Sequence, residues 1–205
     1  MNRSLILGSL CFLALATLSQ GAAGQPNPGR QPAPLEAFGR QLDGTMTAQF
    51  VERQGHQVSR GQLSLGANGK LRWERTAPYQ ELIISNGRTA WHVEPDLNQA
   101  IRLDQRMVRG WAEVFEPGVA NQHYTSTHTG QVVALRRRAD ASNEWPNLDI
   151  TLDRAGRPVT IVFLGDKSMR VELSGWTRTP KIDFNYTPKP GMDIIGQATK
   201  QPGRL

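Results

Sequence analysis

Apolar and polar residues alternate along much of the chain after residue 45. This period of two gives an extended strand one apolar face and one solvent-facing face. The alternation, or a short apolar run, occurs at residues 46–50, 63–65, 71–73, 82–84, 91–93, 101–103, 148–152, 159–163 and 171–173. Asn68-Gly69 and Asn86-Gly87 are hairpin-turn signals because both residue types tolerate a positive φ. Short turns join antiparallel neighbours, so we predict one long, curved antiparallel sheet of roughly ten strands.

Two segments follow a helical period instead. Leu35, Phe38 and Leu42 are spaced three and four residues apart, which places their side chains on one face of a helix. We therefore predict a short amphipathic helix over residues 35–42. A second amphipathic helix is predicted over residues 105–116, where the apolar positions with helical spacing are Met107, Trp111, Val114 and Phe115. Gly110 weakens this second helix.

The first 24 residues have the organisation of an export signal. Arg3 precedes an apolar run from Leu5 to Leu18, and small residues follow as far as Gly24. The run is shorter than the about 20 apolar residues that span a membrane. We expect residues 1–24 to be a signal peptide that is cleaved after Gly24. An uncleaved membrane anchor is the alternative.

The remaining chain is predicted to form one domain. Residues 25–34 are rich in proline and are expected to be a flexible leader, and residues 35–205 a single domain. Cys11 is the only cysteine and lies within the predicted signal, so the mature chain would have no disulfide and no cysteine metal site. Fourteen of the first 24 residues are hydrophobic, and without them the hydrophobic fraction falls from 38% to 35%. That is a thin apolar supply for a core.

The chain is basic, with a formal net charge of +6. Basic residues cluster at Arg102, Arg106, Arg109 and Arg136–Arg138. Such clusters attract anionic partners such as lipid headgroups or acidic protein surfaces, and a solvated face is the equally weighted alternative. Aromatic residues are not interleaved with the basic run, and the chain is predicted to be exported. We therefore expect no nucleic-acid partner.

The sequence contains no recognisable catalytic motif. It has no Gly-x-Ser-x-Gly elbow, and residues 66–70 lack the spacing of a phosphate-binding loop. His123 and His128 are five residues apart, which suits neither a helix face nor a strand face, so no metal site is expected. Asp149 and Asp153 are predicted to lie on a solvated strand face and not to form a glycosidase pair. The sequence thus favours a binding protein over an enzyme.

Four segments resemble the LolA family of periplasmic carriers of outer-membrane lipoproteins. Residues 71–80 (LRWERTAPYQ) are similar to an aromatic strand followed by a Pro-x-x-Gln step. Residues 82–91 (LIISNGRTAW) resemble the family's Ser-Asp-Gly-x-x-x-Trp hairpin, and residues 94–100 (EPDLNQA) its Pro-x-x-x-Gln turn. Residues 184–195 (FNYTPKPGMDII) resemble its closing segment. The match is strongest over residues 61–103 and 184–195.

The resemblance implies a mainly β fold, an incomplete, half-open antiparallel β-barrel with short α-helices as a lid over an apolar cavity. It also implies a periplasmic chaperone that needs no cofactor. Such a carrier accepts acylated lipoproteins from an inner-membrane ABC transporter complex (LolCDE-like). It delivers them to an outer-membrane receptor (LolB-like), and we expect it to be a monomer.

The resemblance also assigns cavity and lid residues. The family places cavity-lining residues on the strand face that carries Leu71 and Trp73. With strand alternation, the predicted cavity residues are Met46, Phe50, Leu63, Leu65, Leu71, Trp73, Leu82, Ile84, Trp91, Val93, Ile101 and Leu103. The predicted lid residues are Leu35, Phe38, Leu42, Met107, Trp111 and Phe115. An ordinary packed core is the alternative interpretation for each of them.

One departure from the family pattern concerns the lid. Many members carry an Arg-Pro pair before the aromatic strand, and its arginine fastens the lid. Ala67-Asn68 occupies that position here, so the lid would be held through another residue, with Lys70 or Arg72 nearby, or held loosely.

Three other functions stay open. The chain could be a LolA-like paralogue that carries another amphiphile, or an envelope sensor or regulatory module that binds a protein partner. A hydrolase is a weaker option because a nucleophile with a matched base is missing.

Overall fold

A computed structural model describes residues 33–105, 108, 110, 113–116, 118–141, 145–165 and 168–196 of the 205-residue chain. The predicted signal peptide and residues 25–32 of the predicted leader lie outside this part of the chain. The last two leader residues, Ala33 and Pro34, begin the first helix, so this helix starts earlier than the sequence pattern indicates.

The fold is mainly β, as predicted. The strands are β1 Met46–Gln54, β2 Gln57–Gly66, β3 Lys70–Ala77, β4 Glu81–Asn86, β5 Ala90–Glu94, β6 Gln99–Leu103, β7 Tyr124–Thr129, β8 Val132–Arg137, β9 Asn147–Leu152, β10 Pro158–Leu164, β11 Met169–Arg178 and β12 Asp193–Ile195. They form one 12-stranded sheet in the order β12-β6-β5-β4-β3-β2-β1-β11-β10-β9-β8-β7. Neighbours pair antiparallel, except that β12 runs parallel to β6. The sheet is not closed into a barrel, because β12 and β7 are its two ends.

The predicted hairpin turns are confirmed. Asn68 and Gly69 both have positive φ, 61° and 70°, and join β2 to β3. Gly87, with φ 86°, lies in the turn between β4 and β5. A side chain at Gly87 would overlap the carbonyl oxygen of Asn68, so the two turns approach each other closely at one end of the sheet.

In the described part of the chain, one helix precedes the first strand and three short helices connect later strands. The α-helices are α1 Ala33–Gln41 and α2 Val119–His123, and the 3-10 helices are η1 Pro95–Leu97 and η2 Glu113–Phe115. Within the predicted helix 105–116, Gln105, Val108 and Gly110 are helical, and η2 follows. Pro34 lies in the first turn of α1, where a proline suits the backbone. Among the described residues, none of the helices combines the length and the apolar content of a membrane span.

The main hydrophobic core lies between the sheet and these helices. Leu35, Phe38 and Leu42 from the α1 region are at most 2% exposed and pack with strand residues in one cluster. Phe38 makes edge-to-face ring contacts with Phe115 at 5.2 Å and with Trp176 at 5.1 Å. The helices therefore cover one face of the sheet, which we call the inner face. The opposite side is the outer face.

Candidate functional site

The strand register identifies the side chains that share the inner face. Residues directly opposite each other in an antiparallel pair lie on the same face. Leu63 pairs with Trp73 and Leu65 with Leu71, and all four belong to the helix-covered core. The same pairing, followed strand by strand, places eight predicted cavity residues on the inner face: Met46, Phe50, Leu63, Leu65, Leu71, Trp73, Ile101 and Leu103.

Two aromatic rings dominate the middle of this face. Phe50 on β1 and Trp73 on β3 stack with their ring centroids 4.1 Å apart. β2 lies between these strands, and its Gly61 leaves room for the rings, since a Cβ there would lie 2.8 Å from Phe50 Cζ. The sheet thus presents a flat, apolar surface towards α1.

Four predicted cavity residues lie on the outer face, so their assignment was wrong. The register pairs Trp73 with Ile83 and leaves Ile84 opposite Arg72. Alternation cannot choose a face within the apolar run 82–84, and the cross-strand partner decides it. The four residues on the outer face are Leu82, Ile84, Trp91 and Val93.

The C-terminal segment lies over this outer face. The ring of Tyr186 lies 6.0 Å from that of Trp91, and the side-chain amide of Asn86 donates to Asn185 at 3.0 Å. Ile84, Val93 and Phe184 are at most 7% exposed yet lie outside the main core cluster. These residues form a second, smaller apolar layer outside the main core cluster.

The lid residues fill the space above the inner face. Of the six predicted, Leu35, Phe38, Leu42 and Phe115 are buried in the core cluster, while Met107 and Trp111 lie outside the described residues. A cavity beside Phe115 has a volume of about 10 Å³ and is lined by Val114, Phe115, Leu148, Ile150, Ile161 and Phe163. A cavity of this size holds about one water molecule. The described side chains of the predicted lid thus occupy the apolar space over this part of the inner face.

Backbone groups of the β2–β3 turn fasten the lid. The N–H of Ala67 donates to the carbonyl oxygen of Leu42 at 2.9 Å, and the N–H of Gly69 donates to the Glu116 carboxylate at 2.6 Å. The turn therefore holds both the end of α1 and the segment after η2. Lys70 and Arg72, the cations near this turn, alternate with Leu71 and lie on the outer face.

Ser85 connects this turn to Gln105, the first residue of the predicted helix 105–116. Its hydroxyl, which is fully buried, donates to the carbonyl oxygen of Gly69 at 3.0 Å. It accepts from the N–H of Gly87 at 3.1 Å and from the Gln105 amide at 3.0 Å. The sequence analysis did not single out Ser85 or Glu116. Ser85 could have been noticed, because it is a polar residue directly after the apolar run of β4.

A row of charged side chains crosses the inner face at the opposite end of the strands. Arg75 donates to both carboxylate oxygens of Glu52 at 2.9 Å and also to Glu81. His92 Nε2 lies 2.8 Å from a Glu81 oxygen, but out of line for a hydrogen bond. Burial lowers the pKa of His92, and Glu94 opposes this while Arg75 adds to it.

The other residues singled out in the sequence have structural roles. Asp153 closes the β9–β10 turn by accepting from the N–H groups of Ala155 and Arg157 at 2.8 and 2.9 Å. Burial would raise the pKa of Asp153, but these hydrogen bonds and the Arg157 side chain outweigh it and lower the pKa. Arg136 forms an ion pair with Asp149 at 2.8 Å, and His123 stacks on Trp145. Within the described ranges, no three histidine or acidic side chains could jointly hold a metal ion.

Comparison with known proteins identifies the family. The family model described as "Outer membrane lipoprotein carrier protein LolA" matches residues 44–186, which is more than half of the chain. The chain belongs to the LolA family. Since the matched region begins at Gly44 and ends at Tyr186, helix α1 and strand β12 lie outside it.

Relatives and a solved structure agree with this assignment. The outer-membrane lipoprotein carrier protein of Xylella fastidiosa (strain 9a5c) is 30% identical over 80% of this LolA-family chain and 87% of the relative. The protein of the same name from Xanthomonas oryzae pv. oryzae is 25% identical over 97% of the chain and 100% of the relative. An uncharacterized conserved protein from Thermus thermophilus has a TM-score of 0.52 at 14% identity, over 80% of this chain and 97% of that chain. The last likeness shows the fold alone.

Proposed function

We propose that this chain is a periplasmic carrier that binds the acyl chains of lipoproteins. The observation that supports this most directly is the cover of the inner face. Leu63, Leu71 and Trp73 are at most 3% exposed, yet α1 and η2, two short helices, lie over them. The residues that follow α1 and η2 are hydrogen bonded to the β2–β3 turn. Helices held in this way can separate from an apolar surface more readily than a second sheet, whose strands would be hydrogen bonded along their edges.

Acyl chains are the chemistry that suits such a surface. Each buried methylene contributes about 0.8 kcal/mol, so a cargo with several acyl chains cannot cross water without a cover. On this proposal the acyl chains displace Phe38 and Phe115 from the inner face and lie against Phe50 and Trp73. The displaced rings and the acyl chains are both apolar, so the exchange costs little and stays reversible.

The family and the predicted export signal support a source and a destination for the cargo. Relatives are named outer-membrane lipoprotein carrier proteins, and residues 1–24 have the composition of a signal peptide. We infer that the mature chain takes lipoproteins from an inner-membrane ABC transporter complex and passes them to an outer-membrane receptor. Binding and release need no cofactor, because no covalent bond changes.

A displacement assay tests the carrier function. The mature protein is loaded with a fluorescent probe that becomes bright in apolar surroundings, and a triacylated lipopeptide is then added. We expect the lipopeptide to displace the probe, while the same peptide without acyl chains leaves it bound. Failure of every acylated ligand to displace the probe, or failure of the probe to bind, would contradict the proposal.

A further inference from the structure

The charged row on the inner face calls for an explanation beyond folding. It consists of Glu52 on β1, Arg75 on β3, Glu81 on β4, and His92 and Glu94 on β5. The Arg75, Glu81 and His92 side chains are 20–23% exposed, and that of Glu52 is 8% exposed. Buried ion pairs contribute little net stability, and apolar residues of similar size often serve as well. Ion pairing therefore does not by itself account for a charged row on an otherwise apolar face.

The row directly continues the apolar surface. Glu52 and Arg75 come two residues after Phe50 and Trp73 on the same strand faces, a distance of about 7 Å along each strand. The lid is fastened at the other end, at Gly69, about 20 Å from Arg75 along β3. An acyl chain that lies along Leu71 and Trp73 would thus place its polar end against Arg75 and Glu81.

The charge of the row is unbalanced. Glu94 follows His92 by two residues on β5 and shares the inner face. The three carboxylates of Glu52, Glu81 and Glu94 share this face with the guanidinium of Arg75, and burial lowers the pKa of His92, which disfavours its charged form. The row is therefore acidic, although the chain as a whole has a net charge of +6. The positive net charge comes from basic residues elsewhere on the protein, so it does not describe the charge of this row.

We propose that this row binds the polar head of the acylated cargo and selects against anionic heads. The inference rests on the proposed carrier function and adds a head-group preference to it. The carboxylates of Glu81 and Glu94 accept hydrogen bonds from amide, hydroxyl or ammonium groups. A phosphate head at the same place meets an excess of negative charge at low dielectric. The favoured ligands are neutral esters and amides, which include the acylated end of a lipoprotein, and cationic amphiphiles.

Three esters of one fatty acid test this preference in the displacement assay: acylcholine, monoacylglycerol and monoacylglycerol phosphate. They share the acyl chain and differ in head-group charge. We expect the neutral and cationic esters to displace the probe at about tenfold lower concentration than the phosphate, equivalent to about 1.4 kcal/mol. In the Glu81→Gln variant we expect this difference to shrink by at least half.

The matched control is Glu74→Gln. Glu74 lies on the outer face of the neighbouring strand β3 and also pairs with an arginine, Arg72, at 2.9 Å. We expect Glu74→Gln to keep the wild-type head-group difference. If Glu81→Gln does not fold, as judged by circular dichroism, Glu94→Gln replaces it in the same row.

The outcomes separate the two proposals. Equal displacement by all three esters in the wild type would overturn the head-group preference and leave the carrier function intact. A wild-type difference that persists in Glu81→Gln and Glu94→Gln would overturn the assignment to this row. Absence of displacement by any ester and by the lipopeptide would overturn the carrier function itself.

Discussion

Glu116 joins the lid to the sheet through a charge-assisted hydrogen bond. Its carboxylate accepts the N–H of Gly69 at 2.6 Å, and hydrogen bonds to charged groups contribute about 1.5–3 kcal/mol. We expect Glu116→Ala to lower the free energy of unfolding by about that amount and to speed release of a bound apolar probe. Urea denaturation and stopped-flow fluorescence measure the two effects.

Glu172→Ala is the control for this prediction. Glu172 pairs with Arg170 at 3.1 Å, but both side chains are about half exposed, so we expect a change of less than about 1 kcal/mol. Equal stability and equal release rates in the two variants would show that Glu116 does not hold the lid.

The identity of this fastening could not be predicted from the sequence. The family pattern directs attention to a cation before the aromatic strand, where this chain has Ala67-Asn68. In this structure the turn donates hydrogen bonds through backbone N–H groups and not through a cationic side chain, and the lid supplies the acceptors. Every residue except proline has a backbone N–H group, so the residue types in the sequence do not reveal which N–H groups bind the lid.

At the level of elements, α1 covers the inner face mainly through Phe38. This ring is fully buried and touches both Phe115 and Trp176. We expect Phe38→Ala to destabilise the protein by about 3–5 kcal/mol and, at the same time, to bind the apolar probe more tightly. The second effect follows because the space left by the ring is apolar and lies where the cargo would lie. Thermal melts and probe titrations measure the two quantities.

The two readouts distinguish a lid residue from an ordinary core residue. If Phe38→Ala lowers the stability of the protein but does not raise its affinity for the probe, Phe38 is an ordinary core residue and its assignment to the lid is contradicted. Leu97→Ala serves as the control, since Leu97 on η1 is 60% exposed and its truncation is expected to change neither quantity.

The strands were predictable where one face is apolar and the other polar. β1, β3 and β9 follow this rule, and alternation gave their faces correctly. β4 has three apolar residues in a row, and pairing with β3 placed Ile83 inside and Ile84 outside. Face assignment in such a strand is a tertiary property, so alternation could not place Leu82 and Ile84. On β5 alternation groups Trp91 with Val93, but pairing with β4 decides which face they share.

The strands at or next to the two ends of the sheet were harder to predict than the central ones. β7 has the sequence Tyr-Thr-Ser-Thr-His-Thr, with only Tyr124 buried, and no apolar alternation marks it. β8 ends in the arginine run that suggested a basic cluster, yet Val133 and Leu135 are fully buried. β12 is three residues long and exposed. These strands owe their conformation to pairing with a neighbour more than to their own pattern.

At the scale of the whole molecule, the two faces of the sheet have different covers. The outer face near β4 and β5 is covered by the C-terminal segment, which hydrogen bonds to Asn86 and pairs with β6. The inner face is covered by α1 and η2, fastened at the β2–β3 turn. The buried apolar residues are thus divided between a smaller layer under the C-terminal segment and a larger layer under α1 and η2.

This division leads to a prediction about stability in the presence of ligand. The lid fills the inner face when no cargo is bound, so acyl chains must replace contacts that already exist. Binding to the native state alone still stabilises it by mass action, by about 2.7 kcal/mol at a ligand concentration a hundredfold above Kd. For a domain of this size we expect the melting temperature to rise by about 5–10 °C.

Differential scanning calorimetry with the triacylated lipopeptide measures the rise, and the unacylated peptide should give none. A melting temperature unchanged at saturating lipopeptide would mean that acyl chains do not bind the folded protein, and the inner face would then be an ordinary core.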